Sequence, residues 1–278
     1  MNNIVFGQYY PTNSVVHRLD ARVKLLLVIA YIVTIFFCED FAMYGALFLF
    51  VVAAALAAKI PLKTLFRTVR TVLVLVLITS AINLFFTSGE NLLWGWKFIH
   101  IYKEGVERAI KLAARLVLLM LFPALLTLTT TPMELTDAIE SLLSPLKLFK
   151  LPVHALALIM SIALRMIPIL VEETEKIMLA QKARGASFDT GGVFQKAKAM
   201  VPVLVPLFVG AFRRADELAL AMDARCYSSV AKRTKYRVMK LHYRDAVAAL
   251  VCLAVFSLVF LNKYLLPFDA WIVGLFRR

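Results

Sequence analysis

The sequence predicts an all-α polytopic membrane protein, with about five transmembrane helices and a region of three long amphipathic helices before the last one. Of its 278 residues, 61% are hydrophobic, and the mean hydropathy is +0.78. Soluble domains average about 45–50% apolar residues. Several apolar runs approach the ~20 residues that a helix needs to cross a bilayer. We therefore expect three regions, with boundaries at 1–130, 131–244 and 245–278.

Four spans are expected in the first region. Between the third and the fourth, three glycines alternate with aromatic residues over 87–105. Aromatic residues and glycines near the end of a span favour an interfacial loop or a short hairpin. The four apolar runs are 25–38, 41–58, 71–86 and a stretch that ends near Thr130.

The fourth span carries three cations on one helical face. Arg108, Lys111 and Arg115 are spaced i, i+3, i+7, which places them on the same side of a helix. Glu104 and Glu107 lie four residues before the first two, a spacing that allows pairing. Two interpretations stay open. Either these acids or a neighbouring helix satisfies the face, or an intramembrane charge serves a function, since charge at that depth is costly.

The second region begins with a capping box. Thr131 precedes Pro132, and Glu134 follows three residues after the threonine, a pattern typical of a helix start. Apolar residues then recur with a helical period, and Pro145 should bend or end this helix. Two longer amphipathic helices are expected at 152–183 and 193–224, and a last span at 246–264.

The distribution of basic residues predicts the orientation. Segments 1–24, 59–70 and 132–245 hold 24 of the 32 Lys and Arg residues. By the positive-inside rule, the N-terminus and residues 131–244 are cytoplasmic. The first residues lack the pattern of a cleaved leader, so none is expected. Five spans would place the C-terminus outside, against which Arg277 and Arg278 argue, so the span count stays open.

Two of the amphipathic helices are expected to end in the same way. The segment Ala183-Arg184-Gly185 closes one helix, and Ala224-Arg225-Cys226 closes the next. An arginine at a helix C-terminus suits the helix dipole, which is one reason for its presence. Small residues on both sides, present twice, also favour a second interpretation. Another protein surface can approach closely while each guanidinium reaches a carboxylate in a groove of that partner.

This pair of ends resembles the T component of energy-coupling factor (ECF) transporters, the vitamin- and metal-uptake branch of the ABC transporters. Residues 17–22 (HRLDAR), 165–168 (RMIP) and 213–217 (RRADE) also resemble that family. The resemblance implies that Arg184 and Arg225 insert into grooves of two cytoplasmic ATPase subunits, with Ala183, Gly185 and Ala224 around them. Cys226 departs from the pattern, because it replaces a second glycine. That departure leaves open how the backbone turns there and whether the two ATPases are identical.

The resemblance further implies a non-catalytic coupling subunit in a bacterial or archaeal cell membrane. It would pass ATPase motion to a substrate-binding membrane subunit for uptake of vitamins or other micronutrients. We expect that subunit to contact the apolar stripes of the amphipathic helices, at Leu135, Ile139, Leu142, Leu146, Val205, Val209 and Phe212.

No catalytic, metal or cofactor site is expected in this chain. The three cysteines and four histidines show no metal-ligand spacing. The sequence contains no Gly-x-x-x-x-Gly-Lys-Ser/Thr loop, so ATP and magnesium are expected on the partner ATPases. Nucleic-acid binding is not expected, because the basic residues follow the membrane topology. A self-contained secondary transporter is the alternative, although its usual repeat of spans is not evident. An intramembrane enzyme lacks any supporting motif.

Overall fold

The computed structural model describes residues 9–87, 92–96, 99–145, 152–188, 192–227 and 241–264. Within these ranges the chain forms eight α-helices and one antiparallel hairpin. In chain order they are α1 (Ala21–Phe36), α2 (Phe41–Ala57), α3 (Leu62–Phe86), β1 (Leu92–Trp96), β2 (Ile99–Tyr102), α4 (Lys103–Thr129), α5 (Pro132–Leu142), α6 (Val153–Ala183), α7 (Val193–Ala224) and α8 (Tyr243–Tyr264). The predicted helical class is confirmed, and the glycine- and aromatic-rich stretch forms the hairpin.

Helix starts follow from local polar residues. The side chain of Asp20 accepts a hydrogen bond from the Arg22 amide at 2.9 Å and caps α1. At the start of α5 the Glu134 amide donates to Thr131 Oγ1, and the Thr131 amide donates to Glu134 Oε2, both at 3.3 Å. The predicted capping box is therefore confirmed. Helix α5 ends at Leu142, three residues before Pro145.

Helix α3 is longer than the sequence suggested. The predicted span began at Thr71, after a basic connector, whereas α3 begins at Leu62 and runs for 25 residues. The connector cations Lys63, Arg67 and Arg70 are exposed along this first part of the helix. Their i, i+4, i+7 spacing places them on one face, so the helix can continue through the basic segment without burying a charge.

Four helices among the described residues are long and apolar enough to cross a membrane. They are α4, α6, the Phe194–Ala224 part of α7 and the Tyr243–Leu261 part of α8. Helix α2 and the Val72–Phe86 part of α3 are apolar but shorter. Helix α1 has 16 residues and carries Arg22 and Lys24 in its first turn. The chain is a multi-pass membrane protein, and the assignment of five spans to α1–α4 and α8 stays a prediction.

The chain divides into two compact units, residues 1–141 with 239–278, and residues 142–238. In the first unit, α1, α2, α4 and α8 share one apolar core around the fully buried Tyr31 and Leu47. The ring of Tyr31 lies 4.3 Å from that of Phe122 and 6.1 Å from that of Phe256. In the second unit, α6 packs against α7. The predicted boundaries at 131 and 244 stay predictions.

Two buried charges join helix ends in the first unit. Lys24 is 6% exposed, and its Nζ donates to the Thr129 carbonyl at 3.0 Å and to Thr130 Oγ1 at 3.2 Å. It thus satisfies a free carbonyl at the end of α4. Asp245 accepts from the amides of Asp20 at 2.8 Å and His242 at 2.7 Å. One carboxylate therefore holds the starts of α1 and α8 together.

The cationic face of α4 packs against the junction of α1 and α2. Arg115 Nη2 donates to the Cys38 carbonyl at 2.9 Å, and its Nε donates to the Tyr44 hydroxyl at 3.1 Å. Lys111 Nζ lies 5.2 Å from the centroid of the Phe41 ring, within cation–π range. For Lys111 and Arg115 the geometry supports the first interpretation, in which a neighbouring helix satisfies the cationic face, because both side chains contact the junction of α1 and α2.

Candidate functional site

The first of the two candidate helix ends lies at the C-terminus of α6. Arg184 is the C-cap residue, and Gly185 follows with φ of 89°. The Gly185 amide donates to the Lys182 carbonyl, and the Ala186 amide donates to the Gln181 carbonyl, both at 3.0 Å. This pair of bonds defines a Schellman motif, which satisfies the last free carbonyls of the helix.

The second helix end, at the C-terminus of α7, repeats that geometry. Arg225 is the C-cap residue, and Cys226 follows with φ of 53°. The Cys226 amide donates to the Asp223 carbonyl at 2.8 Å, and the Tyr227 amide donates to the Met222 carbonyl at 3.0 Å. Each arginine therefore occupies the same position of the same motif. The sequence indicated the repeated residues, and the structure adds the repeated backbone.

Cys226 adopts a conformation that normally favours glycine. Its φ lies in the left-handed region, where the Cβ of an L-residue crowds the backbone at a cost of roughly 1–2 kcal/mol. The chain accepts that cost at Cys226 and avoids it at Gly185. The sequence left open how the backbone turns at Cys226. In the structure Cys226 makes the same left-handed turn as Gly185.

Both helix ends present their arginines outward. Ala183, Arg184 and Gly185 are exposed, and so are Ala224, Arg225 and Cys226. Across the ranges that the structure describes, neither guanidinium takes part in a hydrogen bond or an ion pair. Within the described part of the chain, the two guanidiniums therefore carry ten N–H donors that no protein acceptor uses, each beside small residues.

An ion pair and a close contact hold α6 against α7. Arg214 Nη2 lies 2.7 Å from Glu173 Oε2. One turn before Arg214 on α7, a Cβ added at Gly210 would come within 3.1 Å of Glu173 Oε1, so a larger residue there would push against the carboxylate. The pairing of Arg214 with Glu173 was not predicted from the sequence, although residues 213–217 resemble the family. Opposite charges on two facing helices were the available signal, and their register could not be derived from spacing alone.

The apolar stripe predicted on α7 is exposed. Val205 is 57% exposed, Val209 56% and Phe212 70%. On α5, Ile139 is 44% exposed, whereas Leu135 and Leu142 are half-buried. Leu146 lies outside the described residues. Each of the two helices therefore carries exposed apolar residues that lipid or another membrane protein could contact, and their predicted contact with a substrate-binding subunit stays a prediction.

Hydrogen bonds of the His17 ring order the segment before α1. His17 Nε2 lies 2.9 Å from the Tyr10 carbonyl, and Ser14 Oγ lies 2.7 Å from His17 Nδ1. Burial lowers the pKa of His17, which favours a neutral ring that donates from Nε2. The motif at residues 17–22 therefore orders the start of α1. Over the described parts of the chain, no cluster of three or more His, Cys, Asp or Glu could hold a metal ion.

Comparison with known proteins identifies the family of the chain. Residues 12–236 match the CbiQ family, described as cobalt transport proteins. The chain is 46% identical to the energy-coupling factor transporter transmembrane protein EcfT of Acidaminococcus fermentans, covering 96% of this chain and 99% of the relative. Identity to the EcfT proteins of Clostridium kluyveri and Staphylococcus aureus is 45% and 41%, covering 95% of this chain and 100% and 98% of the relatives. The chain therefore belongs to the EcfT family, the transmembrane components of energy-coupling factor transporters.

Proposed function

We propose that the chain is the coupling subunit of an ECF-type ABC importer and docks two cytoplasmic ATPase subunits through its two helix ends. One observation carries this proposal. Arg184 and Arg225 are both exposed C-cap residues of Schellman motifs, flanked by small residues, with their donors unused among the described residues. The planar fork of a guanidinium fits a carboxylate bidentately. Two matched forks suit a partner that presents the same groove twice.

ATP hydrolysis belongs to the partner subunits in this proposal. The full sequence contains no P-loop, the glycine-rich turn that cradles nucleotide phosphates. ATP and magnesium would therefore bind the two ATPases, while this chain acts as a non-catalytic subunit without a cofactor.

Motion of the ATPases would reach the membrane through α6 and α7. The Glu173–Arg214 ion pair links the two helices, so displacement of either end acts on both. The exposed stripe at Val205, Val209 and Phe212 would then contact a substrate-binding membrane subunit. The imported molecules would be vitamins or other micronutrients, as the family resemblance implies.

The alternative, a self-contained secondary transporter, would need an ionisable group in the membrane that relays ions or protons. Arg115 is poorly suited to that role, because the Cys38 carbonyl and the Tyr44 hydroxyl already accept its hydrogen bonds.

Charge reversal tests the docking. We expect Arg184→Glu combined with Arg225→Glu to abolish co-purification of the ATPases and ATP-driven uptake, because each interfacial charge pair lost costs roughly 2–5 kcal/mol. Lys176→Glu on α6 and Arg213→Glu on α7 are matched controls, since both residues are exposed cations on the same helices away from their ends. Normal uptake by the double variant, with the chain inserted in the membrane, would refute the proposal.

The proposed orientation places the N-terminus and residues 131–244 in the cytoplasm, and native cysteines can test it. Cys226 is exposed, whereas Cys38 and Cys252 are buried. A membrane-impermeant maleimide should label Cys226 in inside-out vesicles and leave it unlabelled in right-side-out vesicles. Cys226→Ser should remove the label. The reverse pattern would overturn the orientation and, with it, the docking of cytoplasmic ATPases at Arg225, which is adjacent to Cys226.

The contact with the substrate-binding subunit has a separate test. Val209→Lys should weaken capture of that subunit while ATPase capture persists, because it places a charge in an apolar stripe. Ala221→Lys, on an exposed small residue of α7 that lies roughly 120° around the helix from Val209, is the control. Equal capture of the substrate-binding subunit by both variants would exclude this part of the stripe from the contact.

A further inference from the structure

The first compact unit contains a partly open apolar cavity of about 470 Å³. Its walls come from residues 15–19 and from α1, α2, α4 and α8. The lining is aliphatic and aromatic apart from a few groups at one end, among them Lys24, Thr129, Tyr243 and Arg244. A cavity of this kind within a bilayer-embedded bundle cannot be filled favourably by water, because buried waters need several polar partners.

The cavity opens to the outside along a row of exposed apolar residues. Val15 is 62% exposed, Val247 58% and Val251 49%, and Ala53 and Ala57 are also exposed. All five belong to the lining. Because α2 and α8 supply most of this opening, an elongated apolar group could enter between them from the surrounding lipid.

Positive charge collects at the polar end of the cavity. Arg244 is itself part of the lining and is exposed. Arg18 immediately precedes Leu19, and Lys59 immediately follows Ala58, both of which are lining residues; the two cations are exposed. The nearby carboxylate of Asp245 is buried and accepts two backbone amides. The exposed charged residues that line the cavity or adjoin a lining residue in sequence are thus cationic.

We propose that this cavity is a binding site for one anionic phospholipid. An acyl chain fills the apolar part between α2 and α8, and the phosphate headgroup lies against Arg244, with Arg18 and Lys59 beside it. Two observations specify this occupant. The apolar walls suit a hydrocarbon chain, and the cationic end suits a phosphate, which basic pockets between transmembrane helices recognise. The aromatic ring of Tyr243, stacked near Arg244 at 5.6 Å, is typical of the headgroup level.

Native mass spectrometry of the full chain tests this site. The probes are phosphatidylglycerol and phosphatidylcholine with identical acyl chains, titrated onto the delipidated protein. We expect the first phosphatidylglycerol to bind at least fivefold more tightly than phosphatidylcholine. Arg244→Gln should remove about fivefold of that preference, the equivalent of about 1 kcal/mol for one basic residue at an anionic headgroup. Arg108→Gln, an exposed cation distant in sequence from the lining, should leave the preference unchanged.

Filling the cavity tests the acyl chain. Ala248→Phe, on the lining, should weaken binding of both lipids by tenfold or more, whereas Ala254→Phe, an exposed residue of α8 outside the lining, should not. Undiminished binding by Ala248→Phe overturns the proposal. Loss of a co-purified protein or of a dimer in that variant, with lipid binding intact, assigns the cavity to a protein and also overturns it.

Photo-crosslinking of the unsubstituted chain tests the same site without depending on whether the variants fold. Phosphatidylglycerol with a photoreactive acyl chain should form adducts at Val251 and Ala53, which face the opening from two helices. Adducts confined to residues such as Leu250, which is 69% exposed and outside the lining, would show only bulk lipid contact and would refute the site.

Discussion

Replacing Cys226 by glycine isolates the backbone strain at the second helix end. The left-handed φ of 53° costs an L-residue roughly 1–2 kcal/mol. Glycine removes that cost but makes the unfolded chain more flexible, which returns about 0.4–1 kcal/mol. The midpoints of these two ranges differ by about 0.8 kcal/mol, so Cys226→Gly should stabilise the closed helix end by roughly that amount.

Amide hydrogen exchange reads this difference at the residues concerned. The amides of Cys226 and Tyr227 close the motif on the Asp223 and Met222 carbonyls. After correction for intrinsic exchange rates, their protection should rise about two- to fivefold in Cys226→Gly, since ~1.4 kcal/mol corresponds to a factor of ten. ATPase capture should persist, because glycine keeps the end small.

The first helix end supplies the reciprocal experiment. A Cβ at Gly185 would meet no atom within 4 Å, so Gly185→Cys changes backbone strain without a steric clash. Protection at residues 185 and 186 should therefore fall by a similar factor. Equal protection in both variants and in the unsubstituted chain would refute the argument from the left-handed turn.

Three further changes probe polar contacts within the two compact units. Arg214→Met should lower the free energy of unfolding by about 1 kcal/mol, since the pair with Glu173 is partly exposed. Denaturant unfolding of a double-mutant cycle with Glu173→Gln measures this coupling, and a coupling energy of zero would contradict the prediction. Lys24→Met should cost roughly 1.5–3 kcal/mol, because a buried charged donor leaves the Thr129 carbonyl, and an apparent melting temperature in detergent equal to that of the unsubstituted chain would contradict it. The pKa of His17 lies below its ordinary 6.5, so the unfolded chain binds the proton more readily than the folded chain does. The contribution of His17 to stability should therefore be fully present above pH 6.5 and decrease as the pH falls below it. In melting experiments at several pH values, His17→Gln should flatten this dependence.

Local signals made most helix boundaries predictable. The Thr131–Glu134 capping box and the apolar period after it placed the start of α5 within one residue. Helices α6 and α7 were expected at 152–183 and 193–224, and they run from Val153 to Ala183 and from Val193 to Ala224. Caps and periodicity act between residues close in sequence, so one chain is enough to recognise them.

Contacts between distant residues were not predictable in the same way. The Lys24–Thr129 bond, the Asp245–Asp20 bond and the Glu173–Arg214 pair each depend on how two helices meet. Spacing along one helix carries no information on the register with another. For the candidate site, the repeated arginines were evident in the sequence, whereas the shared Schellman geometry required the backbone.

The bond between Asp20 and Asp245 has a consequence for biosynthesis. The Asp20 amide at the start of α1 pairs with a carboxylate made 225 residues later. At a ribosomal rate of ~5–20 residues per second, roughly 10–45 s separate the two. All of residues 142–238, including both helix ends, emerge during that interval. The first compact unit therefore closes last, after the segment proposed to bind the ATPases has been synthesised, so an assembling complex would meet helices α6 and α7 before the first unit is complete.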